Sequence, residues 1–291
     1  MHFTGQVYRH PIEARTPLLE VTAGCSHNKC TFCTMYRNTP FKLSPLSHVE
    51  EDLIEMKSMG VEIKRIFLVN GEPFILSTDK LVEISNLIHK YFPEIETITC
   101  YASVKSLKTK SLEDLKKLRK LKYNQLHIGL ETAYDPALKQ MNKGFTQAEA
   151  YENIKKLMDA GFEWDAIVMM GVAGKGMSDI NVKETAKLLN ELPPYLVSIM
   201  STSVSVGSEL EVLRDKGEFI EPTEREMLEE EKKLLELLDF EDAYFFGGHV
   251  FNLAPINGSL KIKEKIIKEI DNYILKLDDH ILNGTYQRPN I

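Results

Sequence analysis

The sequence predicts an α/β fold, a partial (βα)6 barrel of the TIM type with a C-terminal helical extension. Three observations predict it. Six short apolar segments recur between residues 18 and 200, and amphipathic helical stretches separate them. Two of them, Arg65-Ile-Phe-Leu-Val69 and Asp165-Ala-Ile-Val-Met-Met170, are continuous apolar runs, the pattern of strands buried on both faces. A chain of 291 residues is long enough for such a barrel as one unit. Strands alternating with helices call for parallel pairing through right-handed crossovers.

In chain order, a polar N-terminal arm with Pro11 and Pro17 leads into a first strand, Leu18 to Thr22. A cysteine loop follows, then an irregular stretch from Thr39 to Pro45. Ser47 with Glu50 reads as a capping box opening a helix that stops at Gly60. The second strand is Arg65 to Val69. Leu81, Ile84, Leu87 and Ile88 place one apolar face on a helix from Asp79 to Tyr91. Ile95 to Ala102 is the third strand, Ser111 to Lys122 a helix, and Gln125 to Leu130 the fourth strand. Thr146 and Glu149 cap a helix ending at Gly161; Asp165 to Met170, a helix over Asp179 to Asn190, and Leu196 to Met200 complete the series. Beyond it, Thr223 and Glu226 open a charged helix to about Asp239. An aromatic segment, Tyr244 to His249, precedes a last helix from about Leu260 to Leu277. Nothing in composition marks a linker. The expectation is one domain over 1–291, with the barrel at about 18–205 and the extension at about 206–291.

Composition narrows the function classes. Hydrophobic content of 43% with 27% charged residues is that of a globular protein. A net charge of −7 argues against a broad nucleic-acid surface, and no apolar run is long enough to span a bilayer. The N-terminus has no signal-peptide core, and four cysteines offer no disulfide framework, so a reducing cytoplasm is expected.

Three of those four cysteines lie within nine residues, Cys25-Ser-His-Asn-Lys-Cys30-Thr-Phe-Cys33. A short loop brings thiolates together at little closure cost, and three protein ligands leave one metal position open. The spacing admits three occupants: an iron–sulfur cluster with a vacant iron, a plant-type [2Fe–2S] cluster with Cys100 as fourth ligand, and zinc completed by His27. In parallel α/β folds ligands gather at the C-terminal strand ends. There the sequence puts the cysteine loop, Asn70-Gly-Glu-Pro73, Ser103, Gly129-Leu-Glu-Thr132, Gly171-Val-Ala-Gly174 and Ser201 to Ser203.

Taken in that order, the cysteine loop, the Gly71-Glu72-Pro73 turn, Gly129-Leu-Glu-Thr132 and Gly171-Val-Ala-Gly174 resemble the radical S-adenosylmethionine superfamily. The likeness is to its Elongator, methylthiotransferase and coproporphyrinogen-dehydrogenase branch, and covers about residues 18 to 205. It implies a [4Fe–4S] cluster on Cys25, Cys30 and Cys33 whose fourth iron chelates S-adenosylmethionine. Reductive cleavage would then give a 5′-deoxyadenosyl radical that abstracts a substrate hydrogen. Four residues separate the first two cysteines, where the family most often has three.

Within that resemblance, Glu72 would accept from the cofactor's ammonium and Gly71 would let the backbone approach it. Glu131 would accept from ribose hydroxyls and Phe32 would pack near adenine. Ser103 and Gly171 lie on the same rim. Lys143 would reach the methionine carboxylate, or else stand solvated before a glycine turn. Catalytic candidates are His249 and Asn252, as a cap on the barrel mouth, and Cys100, as a hydrogen donor; a packed strand and a buried small hydrophobe are the plain readings. Tyr36 and Arg37 are further candidates beside the loop. The basic run Lys105 to Lys122 reads as a solvated helix face, or as a dock for flavodoxin. With three cysteines assigned, no auxiliary cluster domain remains, and no cobalamin domain precedes the barrel. A small-molecule substrate and a flavodoxin or ferredoxin reductant are expected; RNA or peptide modification and plain electron transfer are the alternatives.

Overall fold

The computed structural model describes residues 1–285 and Arg288. The chain forms two compact units: Met1–Asn28, Tyr36–Gly129 and Glu152–Trp164 make one, and Lys29–Met35, Leu130–Tyr151 and Asp165–Ile291 the other.

The first unit contains β1 (Leu18–Leu19), β2 (Thr22–Ala23), β3 (Lys42–Leu43), α1 (Leu46–Ser58), β4 (Arg65–Leu68), α2 (Thr78–Tyr91), β5 (Thr97–Ala102), α3 (Val104–Lys108), α4 (Leu112–Lys120) and most of β6 (Tyr123–Glu131). β1, β4, β5 and β6 pair in parallel in that order, with Leu19 opposite Leu68, Leu68 opposite Cys100 and Cys100 opposite Leu126. These inward residues are fully buried, as the continuous apolar runs require. The N-terminal arm is tied to this sheet through Glu13, which accepts from Arg65 and lies 3.1 Å from His127 Nε2. Burial opposes the charge of Glu13, but hydrogen bonds from Arg65 and His127 outweigh it and hold the carboxyl well below the usual range.

Three expectations are corrected here. The strand Leu18 to Thr22 is two short pieces, because buried Glu20 turns inward to the Thr4 amide (2.8 Å) and the Asn70 side chain (3.0 Å). The stretch from Thr39 to Pro45 is not wholly irregular, since β3 pairs antiparallel with β2. The Ser47–Glu50 capping box does not form. Pro45, with φ fixed at −57°, is the N-cap and starts α1 two residues early. Glu50 instead accepts from Lys90 (2.6 Å) and Tyr91 (2.7 Å).

The second unit holds α5 (Asp135–Gln140), the start of α6 (Gln147–Asp159), most of β7 (Glu163–Met170), α7 (Ser178–Glu191), β8 (Leu196–Ser201), α8 (Glu209–Asp215), α9 (Glu224–Leu237), β9 (Tyr244–Phe246), β10 (Asn257–Ser259), α10 (Lys263–Lys276) and α11 (Asp279–Leu282). β7, β8 and β9 are parallel, and β10 returns antiparallel to β9. The boxes at Thr146–Glu149 and Thr223–Glu226 both form, each with reciprocal backbone and side-chain bonds. Met141, Met169, Val172, Leu210 and Phe219 make one apolar cluster, with Phe32 packed against it. The strand–helix alternation and mostly parallel pairing are those of an α/β fold. Among the described residues, no helix is long and apolar enough to cross a membrane.

Candidate functional site

The first unit carries Cys25, Gly71, Glu72 and Ser103. The Gly71 amide donates to the Gly24 carbonyl at 3.1 Å, a rung just beyond β1 and β4. A Cβ on Gly71 would lie 2.6 Å from Cys25 Cβ, so only glycine admits the first cysteine here. Cys25 Sγ accepts from the Asn28 amide at 3.5 Å, and Asn28 adopts φ +42° as the loop turns. Glu72 is buried, and its two oxygens accept from the hydroxyls of Ser26 and Ser103. Ser103 also caps α3 reciprocally with Ser106. His27 Nδ1 lies 3.2 Å from Lys105 Nζ, at the protein surface.

The second unit carries Cys30, Cys33, Phe32, Glu131, Lys143 and Gly171. Thr31 anchors the loop: its amide donates to Met141 O at 3.1 Å, its hydroxyl to Gln140 O at 3.2 Å, and its carbonyl accepts from Leu210 at 2.8 Å. Cys30 and Cys33 flank this anchor and are half-buried. Glu131 holds φ +64°, a left-handed conformation costly for a side chain of this type. One of its oxygens accepts from Lys143 Nζ at 2.9 Å, while Oε2 is buried with no hydrogen-bond partner. The Lys143 ammonium lies 5.8 Å from the Phe32 ring centroid and 5.9 Å from that of Phe145. It is therefore a buried partner of Glu131, which overturns the solvated reading.

Behind this edge runs a buried network. Thr132 donates to Asn181 (2.5 Å), Asn181 to Glu230 (2.6 Å), and the Gly171 amide to Glu230 (2.9 Å). Burial outweighs these bonds and pushes the Glu230 carboxyl up to about 7. Its neighbour Glu231, whose Oε1 has no partner, is pushed up to about 8 by burial alone. Gly171, at φ +76°, allows the close approach of Pro222 and Met227, where a Cβ would sit 2.5 Å and 2.9 Å from their side chains.

The remaining candidates have structural places. Asn252 donates to the carbonyls of Ile199 and Gly247, both at 2.7 Å, and accepts from the Ser201 amide at 2.8 Å. Its side-chain amide clamps β8 to the turn after β9. His249 accepts from the Phe251 amide at 3.2 Å, and burial lowers its basicity. Cys100 is fully enclosed in β5, and burial raises its thiol pKa far above the ordinary value, as for a small core hydrophobe. Tyr36 packs edge-on against Tyr8, and Arg37 is exposed. Sequence reading missed Ser26, Thr31, Asn181 and Glu230. Ser26 alone carried a signal, its place beside the first cysteine.

A family model described as the radical SAM superfamily matches residues 19–189. The heme chaperone HemW of Bacillus subtilis (strain 168) is 23% identical over 185 residues, 62% of this chain and 48% of that protein. The chain thus spans about half the length of that curated relative. Among solved structures, the archaeal Elp3 of Methanocaldococcus infernus matches with a TM-score of 0.56 at 14% identity, over 90% of this chain and 64% of that one. Coproporphyrinogen III oxidase (HemN) of Escherichia coli, titled a radical SAM enzyme, matches with a TM-score of 0.53 at 15% identity, over 69% and 51%.

Proposed function

The chain belongs to the radical SAM superfamily, whose members bind a [4Fe–4S] cluster and S-adenosylmethionine; on that premise we propose that it is an enzyme opening its reaction on a small molecule by homolytic chemistry. Cys25, Cys30 and Cys33 would hold the cluster. The observation that carries this reading is the donor set itself: three half-buried thiols on one nine-residue loop, the first admitted only by the missing side chain of Gly71.

The other residues fit the nucleoside. Glu72 is a buried carboxylate held by two hydroxyls and retains lone pairs for an ammonium. Glu131 Oε2 is a buried acceptor lacking a donor, which a ribose hydroxyl supplies. Lys143 holds the other oxygen of Glu131, while Phe32 gives an apolar wall. A reduced cluster held by Cys25, Cys30 and Cys33 would supply the electron for reductive cleavage of the sulfonium of S-adenosylmethionine. The reading carries with it a reducing cytoplasmic setting and a one-electron donor of the flavodoxin or ferredoxin class.

Anaerobic reconstitution, reduction and assay for 5′-deoxyadenosine test it. Cys30→Ala is expected to lose the cluster's visible absorption and all cleavage. Persistent absence of 5′-deoxyadenosine from a fully loaded wild-type protein would sink the proposal. The heme-chaperone relatives favour a second reading, a non-catalytic tetrapyrrole carrier. Stoichiometric heme binding by loaded protein that yields no 5′-deoxyadenosine would select it.

A further inference from the structure

Lys110 stands in a run of lysines, yet it is only 2% exposed. Its ammonium lies 2.7 Å from the Phe74 carbonyl, 3.0 Å from that of Leu76 and 3.5 Å from Thr109 Oγ1, three acceptors for three protons. It also lies 4.7 Å from the centre of the Phe74 ring. Burying an ammonium is expensive, so a lysine placed here rather than a leucine needs a reason.

The segment it grips is the single 3-10 turn Pro73–Ile75, which follows Glu72 directly. That turn has few bonds of its own, from Ile75 to Glu72 O and from Leu76 to Pro73 O, both 3.2 Å. Phe74 is held through its backbone carbonyl, which accepts from Lys110. The charged or titratable groups near Lys110 are Cys100, Asp114, Glu72 and Lys156. Burial draws its pKa down to about 8, the first three partly restoring it, so it is mostly charged at neutral pH.

We propose that Lys110 is a positioning residue that locks the 73–75 turn and so aims the Glu72 carboxylate at the ammonium of an amino-acid-bearing ligand. This rests on the reading of Glu72 given above. It assigns the residue that makes the site select for the aminocarboxypropyl end of the cofactor rather than for its nucleoside.

The test compares two ligands on the anaerobically reconstituted protein by equilibrium dialysis: S-adenosylmethionine, which bears the ammonium, and 5′-methylthioadenosine, which shares the nucleoside and lacks it. Lys110→Met is expected to weaken S-adenosylmethionine by roughly ten- to hundredfold, the usual range for loss of an orienting group, and to leave 5′-methylthioadenosine unchanged. Amide exchange of residues 74–76 in the metal-free protein should quicken in the same variant, a readout independent of any loaded cofactor. Lys110→Gln, which keeps donors in a neutral side chain, should recover part of both effects if Lys110→Met folds poorly. Equal weakening of the two ligands, or unchanged exchange at 74–76, overturns the proposal while leaving the radical SAM reading intact. Failure of the wild-type protein to bind S-adenosylmethionine overturns both.

Discussion

The two acidic residues assigned to cofactor binding are supported in opposite ways. Glu72, in the first unit, shares its charge with two hydroxyl donors, Ser26 and Ser103, and the cation beneath it, Lys110, touches the backbone turn rather than the carboxylate. Glu131, in the second, is bonded to a buried cation, Lys143, on one oxygen and to nothing on the other. The first acid is held as a shape, the second as half of an ion pair. A carboxylate bonded by hydroxyls can lose its charge and keep neutral partners; one bonded by a buried ammonium cannot.

The largest expected effect follows directly. Glu131→Gln strands the Lys143 ammonium and should lower the unfolding free energy of the metal-free protein by about 3–5 kcal/mol. Glu72→Gln, which keeps an acceptor for one serine, should cost about 1 kcal/mol while still weakening S-adenosylmethionine. Urea titrations of both variants would break the comparison if the two losses came out equal.

The pH response sharpens it next. Glu230 and Glu231 titrate in the fold near 7 and 8, above their unfolded value of 4.5. The native state therefore binds more protons between pH 4.5 and 8, and stability falls as pH rises through that window. Lys110 has the opposite sign: its native pKa of about 8 lies below the unfolded value of 10.5, so its contribution rises from pH 8 to 10.5. Denaturation of the metal-free protein at pH 6 and pH 8 should show a loss of roughly 3–4 kcal/mol. Glu231→Gln should cut that loss, and Lys110→Met should leave it unchanged. A wild-type stability that is flat across pH 6 to 8 would contradict the assignment of buried neutral carboxyls.

The smallest effect contrasts two caps. Thr146→Ala removes a formed box and should cost about 1 kcal/mol, whereas Ser47→Ala removes none and should stay within about 0.5 kcal/mol. Thermal melts of the pair would resolve them.

Those caps also mark what a sequence discloses. Thr146–Glu149, Thr223–Glu226 and the apolar runs of β4 and β7 were legible because their partners lie within a few residues or share a period. Ser47–Glu50 satisfies the same local rule and fails it, because Pro45 begins the helix and Glu50 finds a lysine and a tyrosine forty residues on. Short elements such as α3, α5 and α8 were missed, since so few turns show no period. The residues proposed for the cofactor stand out as unusual types at strand ends. Their supports did not: Lys110 is indistinguishable in sequence from the solvated lysines around it, and Glu230 from the acidic face of α9. Only the folded chain says which member of a charged run turns inward.

The contact between Gly71 and Cys25 bears on how the protein is assembled and repaired. The rung from Gly71 to Gly24 ties the segment carrying the first thiol to the sheet edge. Thr31 does the same for the segment carrying the other two. If these thiols hold the metal, the entropy of ordering them would be met during folding rather than at metal capture. Oxidative loss of metal would leave the loop docked, and reloading would be a local event on a folded scaffold. A methyl group at position 71 would reverse that order, making each loading wait on a rearrangement of the chain.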